Sequence, residues 1–239
     1  MEKIKAIFSW SGGKDSSYAL FKVLQDGQYD IVYLLTTINQ NYHRVSMHGV
    51  REELLILQAQ SIGIPLLKVE VSEDTNEHYE NQMRNTLTKA KSEGINCVIF
   101  GDIFLEDLRR YREENMAKIN MKAVFPLWNI NTKELIADFF KLKFKTVLCC
   151  VNDAYLNDSW VGKELTEMLV KELPKKVDPC GENGEFHTFC YEGPLFKKKI
   201  SFKNGEKIYK PLALKFSSSD TEEPITQTRG FWFIDLIPT

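Results

Sequence analysis

Near its start the chain carries Ser11-Gly12-Gly13-Lys14-Asp15-Ser16 between two segments of different periodicity. Ahead of it runs a short apolar stretch (Ile4, Ala6, Ile7, Phe8) suited to a buried strand. Behind it Ala19, Leu20, Val23 and Leu24 recur at helical spacing, and Gly27 marks a stop. A strand turning through a glycine pair into a helix restricts the fold strongly. The glycines let the backbone bend sharply and approach a ligand, and the helix start favours an anion such as phosphate. A plain glycine turn ahead of a capped helix would need fewer of these six residues. The common P-loop is excluded, because Phe8 and Asp15 stand where it requires Gly and Ser or Thr.

The alternation continues. Strands are expected at about 31–37, 65–71, 96–101 and 122–126, with helical patterns between them (Val50, Leu54, Leu57; Tyr79, Met83, Leu87, Ala90; and the run after Glu106). This predicts an α/β fold built on a doubly wound parallel sheet, with its ligand site beyond the carboxyl ends of the strands. After Pro126-Leu127-Trp128 the pattern shifts. Helices near 132–141 and 163–173 flank a strand near 144–151, and short β segments follow at 186–191, 199–203, 207–216 and 229–236. Asn204-Gly205 reads as a hairpin turn, and Ser217 to Pro224 as a polar loop. Two parts are therefore expected: a nucleotide-binding domain over 1–130 and an α+β substrate-binding region over 131–239.

Composition narrows the classes. The 239 residues are 43% apolar and 27% charged, which supports a proper core, and the net charge of −2 argues against a broad nucleic-acid footprint. No apolar run is long enough for a transmembrane helix. Five cysteines, an odd number without a Cys-x-x-Cys pair, fit reduced thiols and a cytoplasmic setting. Phe231 and Phe233 share one strand face opposite Trp232, which suits a core or a homo-oligomer interface.

Further clusters carry candidate chemistry. Gly101-Asp102-Ile103 ends the fourth strand, where Asp102 could hold Mg²⁺ against phosphates or merely cap a helix. His48 could contact phosphate or base, or cap the next helix. Thr36 and Thr37 stand where fold logic puts an adenine. Arg112 and Glu114, with Arg109 and Arg110 nearby, form either a solvated charged face or a site for an anionic group. The run from Asp178 to Thr188 packs two glycines, Glu182, Asn183, Glu185, His187 and Thr188 into eleven residues, more than a surface loop needs. Such a set could bind an amine, orient a carboxylate or shuttle a proton. Cys180 and Cys190 flank this run and are the plausible reactive thiols. Lys197 to Lys199 reads as a solvated strand edge.

The Ser11–Ser16 loop resembles the pyrophosphate loop of the ATP pyrophosphatases. Together with Gly101-Asp102-Ile103, Pro126-Leu127-Trp128 and Gly181-Glu-Asn-Gly-Glu-Phe-His-Thr188, the chain resembles the diphthine–ammonia ligase family over about residues 1–194. That family is a branch of the adenine-nucleotide α-hydrolase superfamily. The resemblance implies that ATP activates a carboxylate as an acyl-adenylate, releasing pyrophosphate, and that ammonia then forms the amide. It implies ATP and Mg²⁺ as cofactors, and an elongation factor bearing diphthine as acceptor where the source makes diphthamide, another carboxylate otherwise. By family match, Ser11, Gly12, Gly13, Asp15 and Ser16 would hold the phosphates; from their places in the chain, Lys14, Thr36, Thr37, His48 and Gly101 are expected around the nucleotide. Asp15 and Asp102 would hold metal. Asp15, Asp102, Glu182, Glu185 and His187 would be catalytic. Asn183, Thr188, Arg112 and Glu114 would bind substrate. With no room for a glutaminase domain, and Glu2 rather than an N-terminal Cys, free ammonia or a partner glutaminase is expected.

Two other classes compete. A tRNA thiolase would adenylate a base and need a reactive cysteine pair. A non-catalytic nucleotide sensor would have no use for the 178–188 run.

Overall fold

The computed structural model describes residues 2–45, 48–71, 76–212 and 228–239. Its first sheet is built from β1 (Ile4–Ser9), β2 (Tyr29–Asn39), β4 (Leu66–Val71), β5 (Cys97–Ile99) and β6 (Lys122–Val124), all parallel to their neighbours in the order β4-β2-β1-β5-β6. A two-residue strand, β3 (Arg44–Val45), returns antiparallel to the end of β2. The helices are α1 (Lys14–Asp26), α2 (Glu52–Ile62), α3 (Asn76–Ser92) and α4 (Glu106–Lys118). The chain thus winds outward from β1 to β4, then crosses to the other side of β1 to lay down β5. Strand order reverses between β1 and β5, and the crevice at that point is where such sheets bind ligands. The glycine loop and Gly101 follow these two strands and open into it. This is the doubly wound sheet expected from the alternating pattern.

After α5 (Thr132–Lys141) comes a second, antiparallel sheet in the order β8-β7-β10-β9, made of β7 (Lys145–Asn152), β8 (Phe186–Glu192), β9 (Phe202–Pro211) and β10 (Gly230–Pro238). A short helix, α6 (Glu167–Glu172), lies between β7 and β8. Local caps account for these boundaries. Asn131 accepts from Lys133 N at the start of α5, Thr166 accepts from Leu169 N at the start of α6, and Gly27 and Gly63 close α1 and α2 in the left-handed conformation. One apolar core runs through both sheets, joining Phe8 and Leu20 to Phe139, Leu148 and Phe189. A smaller one, with Leu87, Val98 and Met116, lies under α3 and α4.

Three local expectations fail. Asn204-Gly205 is not a hairpin: β9 runs straight through it and pairs with β10. Neither residue has the positive φ that a type I′ turn demands. The register instead shifts opposite Ile234 to Leu236, and a Cβ on Gly205 would sit 2.8 Å from Ile237 Cδ1, so the glycine serves a bulge and a close approach. The separate segments at 199–203 and 207–216 therefore merge into β9 as far as Pro211. Lys197 to Lys199 is solvent-exposed but is not strand. The helix expected over 163–173 narrows to α6. The polar loop at 217–224, with 213–216 and Met47, falls outside the described residues.

Candidate active site

The glycine loop takes its shape from the second sheet as much as from its own residues. Gly12 has φ of 76°. Its carbonyl accepts from Cys190 N at 2.9 Å, and Lys14 N donates to Thr188 Oγ1 at 3.0 Å. Thr188 thus caps α1 across 174 residues of sequence, the task a local N-cap side chain ordinarily performs. A Cβ on Gly13 would meet Thr188 O at 3.0 Å and His48 Cε1 at 3.1 Å, so glycine is what admits β8 this close. Gly101 packs as tightly: a Cβ there would lie 3.3 Å from the Ser16 backbone. Ser11 Oγ and Ser16 Oγ are 3.1 Å apart.

These elements border a cleft of about 1370 Å³. Ser11, Asp15, Ser16, Thr36, Thr37, His48, Gly101, Asp102, Arg112, Glu182, Asn183, His187 and Thr188 all line it, so the structure brings together most of the residues singled out from sequence. It continues sideways between α3 and α4 past Tyr79, Met83, Leu108 and Met116. Five of the residues singled out from sequence stand apart from the wall, Gly13 among them, pressed against Thr188 and His48. Lys14 is 1% exposed and meets Asp15 Oδ1 at 2.5 Å, so it is turned away from solvent. Glu185 is 0% exposed; it accepts from Asp178 N, Asn183 N and Asn183 Nδ2, which makes it the organiser of the 178–185 loop. Glu114 lies exposed on the outer face of α4. Gly12 is enclosed behind the loop by Gln58 and Leu55.

The loop that Glu185 holds delivers Glu182 to the cleft, where its Oε1 accepts from Ile103 N at 2.9 Å. Burial, and then the nearby Asp15 carboxylate, push the Glu182 carboxyl up to about 7. Burial is the largest influence on the Lys14 ammonium and pulls it toward neutrality, but Asp15, Cys180 and Glu182 together outweigh it and the net displacement is upward, so Lys14 stays charged. The rings of His48 and His187 lie against each other, tilted by 34° with centroids 4.6 Å apart, and His48 Nδ1 lies 3.3 Å from Thr188 O. His48 therefore packs on β8 and does not cap α2, whose N-cap is Arg51. Burial, followed by the neighbouring His48 and Lys14, depresses His187 to about 3. A neutral imidazole at pH 7 can hydrogen-bond but binds a proton poorly, which makes Glu182 the stronger base of the two.

Asp102 is ion-paired to Arg112. Nε lies 2.6 Å from Oδ2 at an angle poor for a hydrogen bond, and the hydrogen bond runs from Nη2 to Oδ1 at 3.1 Å. The Arg112 guanidinium also lies over Phe100, 4.4 Å from the ring centre. Arg112 thus positions Asp102, while Arg110 pairs with Asp107 on the exposed helix face.

The site has features that a nucleotide and Mg²⁺ would use. Asp15 N and Ser16 N lie in the first turn of α1, where no intrahelical acceptor exists. Thr36 Oγ1 is buried in the cleft wall without a hydrogen-bond partner, an arrangement that a bound polar group would satisfy. Among the described residues no three His, Cys, Asp or Glu side chains converge as a preformed metal cage. Asp15 and Asp102 are carboxylates of the cleft wall that could meet a hard cation, and Arg112 engages both oxygens of Asp102 in this structure.

The cysteines correct one expectation. All five are buried free thiols. Burial, the first cause at each, pushes Cys180 and Cys190 up to about 12, so neither is a reactive thiolate. Cys180 Sγ donates to Thr132 O and belongs to the loop's scaffold.

Sequence reasoning missed Gln58 and Trp10, which tie the glycine loop to its surroundings. It also missed Asp235 on β10. Asp235 binds Arg51 through both carboxylate oxygens and Arg44 through one, pinning the chain on either side of His48 to the second sheet. None of these sits in a motif.

The chain matches the family model of the diphthamide synthase N-terminal domain over residues 4–123 and that of the C-terminal domain over residues 131–215. A Rattus norvegicus protein named diphthine–ammonia ligase is 29% identical, with 92% of this chain and 93% of that protein covered. Its Homo sapiens counterpart is 28% identical over 95% of this chain and 89% of its own length. A solved U34-tRNA thiolase from Methanococcus maripaludis overlaps 60% of this chain and 59% of its own with a TM-score of 0.38 at 17% identity, too slight a likeness to bear on fold or activity. With both halves of its length matched by the paired models, this chain belongs to the diphthamide synthase family.

Proposed function

We propose that the chain is an ATP-dependent ligase that forms an amide from a carboxylate and ammonia, with diphthine on a protein as the acceptor. The observation that carries this reading is the meeting of the glycine loop and the Gly181–Thr188 run in one cleft. A nucleotide sensor needs the first and has no use for the second. Residues 1–130 form the nucleotide-binding part and 131–239 the substrate part. No helix among the described residues is long and apolar enough to cross a membrane, and a cytoplasmic setting with reduced thiols belongs to the same reading.

In the first step a carboxylate oxygen attacks the α-phosphorus of ATP, and the bond to the departing pyrophosphate breaks. Asp15 N, Ser16 N and the two serine hydroxyls receive phosphate oxygens. Asp15 and Asp102 would hold Mg²⁺, which when bound would neutralise charge between the two anions. In the second step ammonia attacks the acyl carbon, AMP leaves, and one proton must be removed from nitrogen. Glu182 takes it, because its carboxyl is balanced near neutral pH. His48 and His187 stay neutral and orient the reacting groups.

The test is to incubate the protein with Mg-ATP and ammonium, with and without diphthine-bearing elongation factor, and separate the nucleotides. Acceptor-dependent AMP and pyrophosphate, lost in Asp15→Ala, are expected. ADP and phosphate would sink the adenylation step, and turnover independent of any carboxylate would sink the ligase reading.

A further inference from the structure

Gln58 lies in the middle of α2, is 0% exposed and does not border the cleft. Its side-chain amide nevertheless makes three bonds at the seam between the two sheets. Oε1 accepts from Trp10 Nε1 at 3.0 Å, and Nε2 donates to Gly12 O at 3.0 Å and to Cys190 O at 2.5 Å. Only an uncharged amide satisfies this set, which needs one acceptor facing an indole N–H and two donors facing carbonyls. Gly12 fits around it with little room, since a Cβ there would lie 2.7 Å from Gln58 Oε1.

We infer that Gln58 is a positioning residue for the nucleotide: it holds the glycine loop on β8 in the shape that receives phosphate. Gly12 O and Cys190 O face the same amide, so one side chain fixes the phosphate loop relative to the strand that carries His187 and Thr188. Removing the amide leaves Cys190 O and Trp10 Nε1 buried without that partner. The loop then keeps its direct bonds to Cys190 N and Thr188 Oγ1 and loses the cross-brace between them. This inference rests on the reading of the loop as an ATP site.

The test uses the full chain with Gln58→Met, which keeps volume, and Gln58→Glu, which keeps shape but sets a carboxylate against two carbonyls. ATP and pyrophosphate are titrated by calorimetry, and the Trp10 indole N–H signal is followed by NMR, with Trp10→Phe for assignment. The expected result is a folded Gln58→Met protein whose Kd for both ligands rises about tenfold or more, with kcat at saturating ATP changed much less. The Trp10 signal moves in both variants. Simple destabilisation would lower the melting temperature and leave the Kd of the folded protein alone. Should Gln58→Met not fold, Gln58→Glu carries the same comparison. Folded variants that bind within about twofold of wild type overturn the inference. A wild-type protein that binds neither ligand overturns the nucleotide reading, and the inference with it.

Discussion

Replacing Glu182 by glutamine should stabilise the protein while disabling it. The Glu182 carboxyl titrates at about 7 in the folded chain, against an ordinary value of 4.5. That displacement corresponds to about 3 kcal/mol against the charged form. The folded pKa is raised, so between about pH 4.5 and 7 the native state holds a proton that the unfolded chain has released. Wild-type stability therefore falls across this window and has lost the full amount above pH 7. The Glu182→Gln side chain keeps an oxygen to accept from Ile103 N and carries no charge to desolvate. The two proteins should match most closely below pH 4.5 and diverge as pH rises. For a chain of this size about 3 kcal/mol moves the melting temperature by roughly 6–10 °C. Calorimetric melting at intervals from pH 4.5 to 8.5 reads the difference directly, since titrating groups remote from Glu182 cancel. In parallel, the wild-type rate should rise through an apparent pKa near 7, and the variant should lose that limb. Melting curves that run parallel across the whole range would refute the claim that Glu182 is held in a desolvated, negatively charged pocket.

Asp235→Asn should cost about 1–2 kcal/mol near pH 6, a figure discounted because Arg51 is partly solvent-exposed. Hydrogen bonds from Arg51, then burial opposing them, leave the Asp235 carboxyl at about 2, so the penalty should be full above about pH 3.8 and vanish as pH falls through 2; a pH-independent loss would contradict this. Gly181→Ala should lower the melting temperature and the rate together, because φ there is 70° and a Cβ would sit 2.8 Å from Phe186 O; a neutral outcome would mean that the 178–185 loop is not constrained as described. The native protein should resist iodoacetamide at pH 8 and take up five equivalents only after denaturation, since all five thiols are buried. Rapid labelling of Cys180 or Cys190 would revive the thiolase reading.

The amino-acid sequence alone determined the doubly wound sheet and the approximate position of its ligand site. A buried strand, a glycine turn and an amphipathic helix are local patterns, and repeating them leaves few topologies. It also marked Glu182 and His187, because polar residues at that density stand out from an ordinary loop. Asn204-Gly205 misled for the same local reason: the dipeptide prefers a turn, and pairing along β10 overrode that preference. Tertiary structure alone separated residues that share a motif. Lys14 and Asp15 are adjacent, yet one is buried and the other is 30% exposed on the cleft side. Glu182 and Glu185 are three apart, yet one faces the cleft and the other is fully satisfied by the loop's own donors. Thr188 caps a helix 174 residues away, and Gln58 joins Gly12 to Cys190. Such roles depend on which backbone groups the fold leaves without a partner, and those exist only once the two sheets have packed.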